Sequence, residues 1–173
     1  DVFKDKQILV EYTSPNLFKP LHVGNLVGNI IGESLARLLS FAQADVKRLN
    51  YPSDIGLTVA KGVWGLQKTL GDPKDILALG IAYKTGNDAY ENDMEAKKEI
   101  ETVNRALYDG SDEVLNKLRA EGIETSKARL ADLCEMLGTS FDAVIYESEA
   151  SPTGAELVKA HIGDVFEESE GAI

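Results

Sequence analysis

Gln7-Ile-Leu-Val-Glu-Tyr12 is a short apolar, β-branched run halted by Thr13-Ser-Pro-Asn16, a pattern that predicts a buried strand feeding a turn. Glu11 then stands at the strand's carboxyl end. Downstream, Val27, Ile31, Leu35, Leu38 and Ala42 recur at intervals of four, four, three and four. That is the spacing of one helix face, and it predicts a helix from about Val23 to Ala42. A second strand, Asp45-Val-Lys-Arg-Leu-Asn-Tyr51, closes at Pro52-Ser-Asp-Ile-Gly56. Strand, loop, helix and strand compose one βαβ unit, whose strands lie parallel and whose ligands gather beyond their carboxyl ends. The unit puts Thr13 to His22 and Tyr51 to Gly56 on one rim.

Beyond it the pattern turns helical over residues 57–70, 74–85, 87–108 and 111–137, rich in Glu, Lys, Ala and Leu with solvated charged faces. Phe141-Asp-Ala-Val-Ile-Tyr146 reads as a strand, Thr153 to Ile162 as a helix capped by Thr153, and Gly163 to Ile173 as a return strand. That last pattern has no polar tail or helix stop, which leads us to expect that the polypeptide continues. Trp64, Leu66 and Leu70 are expected in the core, His161 on the surface at a helix end, and Asp54 in a turn on the rim.

The 173 residues carry a net charge of −11, of which +2 falls in residues 1–70 and −13 in residues 71–173. A polyanion such as tRNA would avoid the second part, so nucleic-acid contacts must rest on the first part or on residues outside this sequence. The shift falls at Leu70-Gly-Asp-Pro73, which is either a boundary between domains 1–70 and 71–173 or a loop within one domain. With 43% apolar and 27% charged residues the composition is globular. Cys134 is the only cysteine, which excludes a disulfide scaffold; within Leu130–Leu137 it reads as a small buried residue. Two histidines and one cysteine give no zinc-site spacing. Apolar stretches fall short of the ~18 residues of a membrane span, and Asp1-Val-Phe-Lys-Asp-Lys6 does not read as a signal peptide. A cytoplasmic protein is expected.

The chemistry concentrates in Ser14-Pro-Asn-Leu-Phe-Lys-Pro-Leu-His-Val-Gly-Asn25. A strand end delivers Glu11, Ser14 and Asn16, a proline-stiffened loop carries Lys19, and His22 and Gly24 open a helix. A helix start presents unpaired N–H groups and the positive end of the macrodipole, so it favours an anion. Gly24 leaves room for a ligand to approach the backbone, whereas Gly28 and Gly32 read as packing the helix on the sheet.

Val10-Glu-Tyr-Thr-Ser-Pro-Asn16, Lys19-Pro-Leu-His-Val-Gly-Asn25 and Ile30-Ile-Gly-Glu-Ser-Leu-Ala-Arg-Leu-Leu39 together resemble arginyl-tRNA synthetase, a class I aminoacyl-tRNA synthetase. His22-Val-Gly-Asn25 looks like a variant of that class's HIGH tetrapeptide, and Tyr51-Pro-Ser-Asp-Ile-Gly56 resembles its Gly-Asp-x-Gly segment. Gly138–Asp142, Tyr146–Glu149 and Val165–Ala172 resemble the connective-peptide insertion. The resemblance implies an α/β fold: half of a Rossmann-like nucleotide-binding domain followed by a mostly helical α+β insertion. It also implies activation of arginine by ATP, with Mg²⁺, and transfer to tRNA(Arg). Glu11 would hold the guanidinium, since a carboxylate pairs bidentately with that fork. Ser14 and Asn16 would lie by the α-amino group, with His22 close to the amino acid as well. Lys19 and His22 would support the ATP phosphates, Gly24 would let adenine lie against the backbone, and Asn25 would hydrogen-bond the nucleotide.

Asn25 stands where the class has a second histidine; a neutral amide donates but carries no charge, so phosphate stabilisation there is smaller. Ser53 replaces a usual glycine, and Leu57-Thr58 follows Gly56 where many relatives have Thr-Gln. The family's KMSK-like loop, its later arginine-recognising Tyr and Asp, and its anticodon-binding domain do not occur in these residues. The sequence therefore reads as a fragment, inactive in aminoacylation by itself. Two other readings stay open: an adenylyl-transferring nucleotidylyltransferase of the same superfamily, and a non-catalytic synthetase-like module whose acidic part docks a basic partner.

Overall fold

The computed structural model describes residues 2–169. Strand β1 (Gln7–Glu11) leads through a loop into α1 (Val23–Phe41) and β2 (Asp45–Asn50). Helices α2 (Leu57–Thr69), α3 (Ile76–Asn92), α4 (Met94–Asp109) and α5 (Glu113–Leu137) follow, then β3 (Ala143–Val144) and α6 (Glu147–Ala160). The three strands form one parallel sheet in the order β1-β2-β3, with Ile8 opposite Val46 and Leu49 opposite Ala143. The βαβ reading of the first fifty residues stands, and so does the helical run after it. Among the described residues no helix is long and apolar enough to cross a membrane.

The main core lies between the helices. Val59, Val63, Trp64 and Leu66 of α2 pack with Leu79 and Ala82 of α3, Ile100 and Leu107 of α4, and Ile123, Leu130 and Cys134 of α5. The link at Leu70-Gly71, where the chain was expected to divide or merely loop, joins α2 to α3, and the apolar cluster includes residues from both sides of it. Leu17 and Phe18, from the loop between β1 and α1, belong to this core as well. The Phe18 ring fills a slot floored by two glycines: a Cβ at Gly62 would come within 2.5 Å of it and one at Gly122 within 2.3 Å.

On the sheet, α1 packs through Asn29, Gly32 and Ala36. Tyr12 lies against Gly32, where a Cβ would come within 2.2 Å, and its ring centroid is 5.0 Å from that of Phe141. The Tyr12 hydroxyl donates to Glu33, which also accepts from Arg37 at 2.7 Å and Arg48 at 3.1 Å. Burial and the Glu33 carboxylate both push the Tyr12 phenol up. For Glu33 burial acts upward, but the three hydrogen bonds outweigh it and hold the carboxyl below its ordinary value.

Several expectations need correction. The helix predicted from Val27, Ile31, Leu35 and Leu38 forms, but that stripe lies exposed, Leu38 at 64%, and Phe41 beyond it at 89%. Helix α1 is apolar on more than one side, and its small-residue side is the one that fits the sheet closely. A Cβ at Gly28 would meet nothing within 4 Å, so of the two glycines only Gly32 has the packing role. Leu70 is not core but 89% exposed, ending α2 in the left-handed conformation. The helices expected at 74–85 and 87–108 meet instead at Asp93, whose side chain caps α4 through the N–H groups of Glu95 and Ala96. Gly86, the expected break, sits inside α3, where a Cβ would come within 2.0 Å of the Lys61 carbonyl.

The last helix begins at Glu147, not Thr153, and contains Pro152. The strand expected over 141–146 is reduced to two residues, although Asp142 and Ile145 extend its bonding to β2. In place of a return strand, residues 163–169 form turns and isolated bridges such as Ile162 to Phe166; residues 170–173 lie outside the described part.

Two stability measurements check this packing. Phe18→Ala should cost about 3–5 kcal/mol by denaturant titration, the range for emptying a large aromatic site; a cost below about 1 kcal/mol would show that the slot contributes little. Glu33→Gln should cost about 1–3 kcal/mol near pH 7. Because the folded-state pKa is depressed, that contribution is present above the unfolded value of about 4.3 and fades as pH falls through the folded one. The gap between wild type and variant should therefore close on acidification, and a constant gap down to about pH 3 would contradict the network.

Candidate functional site

The rim is built from two loops stitched together. At the end of β1 the chain turns sharply, with Thr13 and Ser14 at φ of 73° and 32°, both left-handed. Three contacts hold that turn. The Ser14 N–H donates to Asn50 Oδ1 at 2.9 Å, the Tyr51 N–H donates to Ser14 Oγ at 3.0 Å, and Asn29 Nδ2 donates to Thr13 Oγ1 at 2.9 Å. Ser14 Oγ in turn donates to Glu11 Oε1 at 2.9 Å. Glu11 is thus an exposed carboxylate with one oxygen fixed, and Ser14 retains a lone pair that a bound ammonium group can use.

Asn16 is exposed and pairs in a parallel bridge with Ser53. The Ser53 N–H donates to the Pro15 carbonyl at 3.0 Å, and the Leu17 N–H donates to the Ser53 carbonyl at 2.9 Å. Ser53, which stands where the family this sequence resembles usually has glycine, joins the two loops through its backbone, and its hydroxyl donates to the Ile55 carbonyl at 3.1 Å. The Phe18 N–H donates to Ser126 Oγ at 3.1 Å, tying the loop to α5. Anionic groups crowd this side: burial raises the Tyr51 phenol, and the charges of Glu147, Glu11 and Asp54 raise it further.

At the start of α1, His22 is the N-cap. Its Nδ1 accepts from the Gly24 N–H at 3.1 Å, while Asn25 Oδ1 accepts from the His22 N–H at 3.1 Å. An Nδ1 that accepts is unprotonated, which puts the neutral ring's N–H on Nε2, pointing away from the cap. Asn25 likewise keeps its NH₂ for donation. The Gly24 and Asn25 N–H groups are themselves satisfied, the latter by the His22 carbonyl at 2.9 Å. Attraction for an anion here rests on the macrodipole and side-chain donors more than on bare backbone N–H groups, a shift from the expectation of unpaired amides. Gly24 has a local reason besides ligand approach: a Cβ there would lie 2.9 Å from His22 Cε1.

Lys19 and His22 open onto different hollows. Lys19 lines a groove of about 720 Å³ with Asn16, Ile81, Lys84 and Arg129. His22 and Asn25 line an apolar hollow of about 370 Å³ with Thr13, Asn29 and Cys134. The two share Leu21, Leu130 and Leu133. Glu11 with Ser14, Asn16 with Lys19, and His22 with Gly24 and Asn25 are thus three neighbouring groups along one loop. Cys134 is buried and its thiol pKa is raised by burial, in keeping with a packing role. His161 ends α6 at the surface, 3.8 Å from Asp164. Among the described residues no three His, Cys, Asp or Glu could hold a metal ion.

Sequence reading missed Asn50, 2% exposed, and Asn29, 3% exposed, whose amides hold the turn at Thr13 and Ser14. An asparagine closing an otherwise apolar strand was the available signal for the first. Asn29 also accepts from Thr139 Oγ1 at 2.9 Å, a contact across 110 residues that no local pattern discloses.

A three-stranded parallel sheet with its helices makes this the mixed α/β fold of a class I synthetase catalytic domain. Residues 2–168 match the family model described as tRNA synthetases class I (R), catalytic domain, and the chain belongs to that family of arginyl-tRNA synthetases. It is 30% identical over 188 residues to an arginine–tRNA ligase of Borrelia turicatae, covering 100% of this chain and 31% of that protein. It is 32% identical over 144 residues to one of Archaeoglobus fulgidus, covering 83% of this chain and 26% of the relative. The chain thus spans about a third or less of the curated relatives it matches. Among solved structures, Thermus thermophilus arginyl-tRNA synthetase aligns with a TM-score of 0.69 at 26% identity, over 91% of this chain and 26% of that one. The Plasmodium falciparum enzyme shares the fold, with a TM-score of 0.62 at 22% identity over 100% of this chain and 31% of its own.

Gly24→Ala tests the cap. The new methyl should displace the imidazole and cost about 1 kcal/mol, the worth of an N-cap. Nitrogen NMR should show the Nε2–H tautomer of His22 in wild type and its loss in the variant; an Nδ1–H tautomer in wild type would refute the cap.

Proposed function

We propose that this chain supplies the arginine- and ATP-holding part of an arginine–tRNA ligase, in the cytoplasm. In the reaction the arginine carboxylate attacks the ATP α-phosphorus and expels pyrophosphate, and a hydroxyl of the terminal ribose of tRNA(Arg) then attacks the carbonyl of the arginyl-adenylate, forming the ester and releasing AMP. The observation that carries this reading is one loop with a fixed carboxylate at one end, Glu11 held by Ser14, and a capped His22 with an outward Nε2–H at the other.

Each residue has a role its surroundings support. Glu11 pairs with the guanidinium, and the clustered negative charge beside Tyr51 favours such a cation. Ser14 and Asn16 take the α-amino group. His22 donates through Nε2 to phosphate, assisted by Asn25 and by Lys19 from the adjoining groove, while the backbone at Gly24 meets adenine. No side chain acts as a nucleophile; the work is orientation and stabilisation of charge that develops on phosphate oxygens. The 173 residues alone are proposed not to charge tRNA, since they span only 31% of the Borrelia ligase.

In a full-length ligase carrying these residues, His22→Ala should slow adenylate formation by roughly ten- to a thousandfold, the size of losing one preorganised donor. Glu11→Gln should raise KM for arginine by about ten- to a hundredfold, as expected when a charge-assisted pair is lost, with KM for ATP little changed. Unaltered ATP–pyrophosphate exchange in both variants would overturn the assignment.

A further inference from the structure

We propose that Asp54 is a positioning residue for the arginine pocket, clamping the rim loop 51–56 to α5 and α6 and thereby fixing Asn16 and the Ser14–Glu11 pair. The proposal rests on the arginine-holding roles given above to Glu11 and Asn16. Asp54 is only 6% exposed, and both its carboxylate oxygens are engaged within the fold. Arg119 Nη2 donates to Oδ2 at 2.9 Å, the Ser148 hydroxyl donates to Oδ2 at 2.7 Å, and the Ser148 N–H donates to Oδ1 at 2.9 Å. Arg119 Nε donates at 2.9 Å to the Asp54 carbonyl as well, so the guanidinium grips backbone and side chain of one residue. A buried carboxylate occupied in this way is a tie between elements.

The tie runs in both directions. Ser148 is the second residue of α6, whose N–H has no partner inside the helix, so the Asp54 charge sits at that helix's positive end. Alongside it the Ile145 N–H donates to the Asn50 carbonyl at 3.0 Å and the Glu147 N–H to the Pro52 carbonyl at 3.2 Å. Toward the pocket, the neighbouring Ser53 exchanges backbone bonds with Pro15 and Leu17 on either side of Asn16. Three residues before Asp54, Tyr51 donates its N–H to Ser14 Oγ, which holds Glu11. Segments distant in sequence, at Arg119 and Ser148, therefore set the register of the two loops that meet the amino acid. Charge-assisted, directional bonds suit that task, because a misplacement of about 1 Å can cost about a hundredfold in rate.

The test measures ATP–pyrophosphate exchange in a full-length ligase carrying these residues, with thermal unfolding alongside, for Asp54→Asn, Ser148→Ala, Arg119→Lys and, as a reference, Asn16→Ala. Asp54→Asn should raise KM for arginine about tenfold and Ser148→Ala about threefold, with KM for ATP within about twofold of wild type. Arg119→Lys should fall between them, and combined with Asp54→Asn it should add little, as members of one network do. If Asp54→Asn does not fold, Ser148→Ala decides by the same criterion. Arginine KM unmoved in the clamp variants but raised in Asn16→Ala would overturn the clamp and leave the arginine pocket standing. Arginine KM unmoved in Asn16→Ala as well would overturn the pocket itself, and equal loss for arginine and ATP would mark Asp54 as merely structural.

Discussion

The Phe18 side chain is the constraint on which the site depends. The loop between β1 and α1 is rich in proline and polar residues, the composition of a mobile surface connection, yet Leu17 and Phe18 are buried in the helical core. Phe18 also holds a left-handed φ of 69°. That conformation costs roughly 1–3 kcal/mol, whereas full burial of a Leu or Phe side chain contributes roughly 1.5–3 kcal/mol each. The anchor pair outweighs the strain, and the residues on either side, Asn16 and Lys19, are held facing outward as a result.

Charge is arranged along the same loop with a consistent sense. Carboxylates gather near Tyr51, while Lys19, His22 and Asn25 present donors further along, next to the positive end of α1. A ligand cationic at one end that meets a polyphosphate at the other matches this order, which is the electrostatic content of the arginine and ATP reading. The Tyr12, Glu33, Arg37 and Arg48 network differs in kind: it lies between α1 and the sheet, and Arg37 also donates at 3.0 Å to the Gly138 carbonyl beyond α5. Its position fits holding α1 in place.

Local pattern made β1, α1, β2 and the rim legible, because a strand halted by Pro, a helix with regular spacing and a second strand carry their own signals. The His22 helix start was legible for the same reason. What each apolar face packs against was not: Leu35 and Leu38 have helical spacing whether or not anything covers them. Nor could local rules locate the break at Asp93, since Gly86 looks like a breaker until α2 is seen to press on it. The start of α6 was hidden because its N-terminal amide at Ser148 is satisfied by Asp54, 94 residues away. Asn29, Asn50, Arg119 and Ser148 owe their importance to such distant contacts, which is why local pattern points to the loop but not to the residues that hold it in place.

The most direct measurement is a crystal structure of a full-length ligase carrying these residues with a non-hydrolysable arginyl-adenylate analogue. The account predicts the guanidinium on the Glu11 carboxylate, the α-amino group against Ser14 and Asn16, and the phosphate-side oxygens within hydrogen-bond reach of His22 Nε2. An analogue bound away from this loop, or with its guanidinium remote from Glu11, would contradict it.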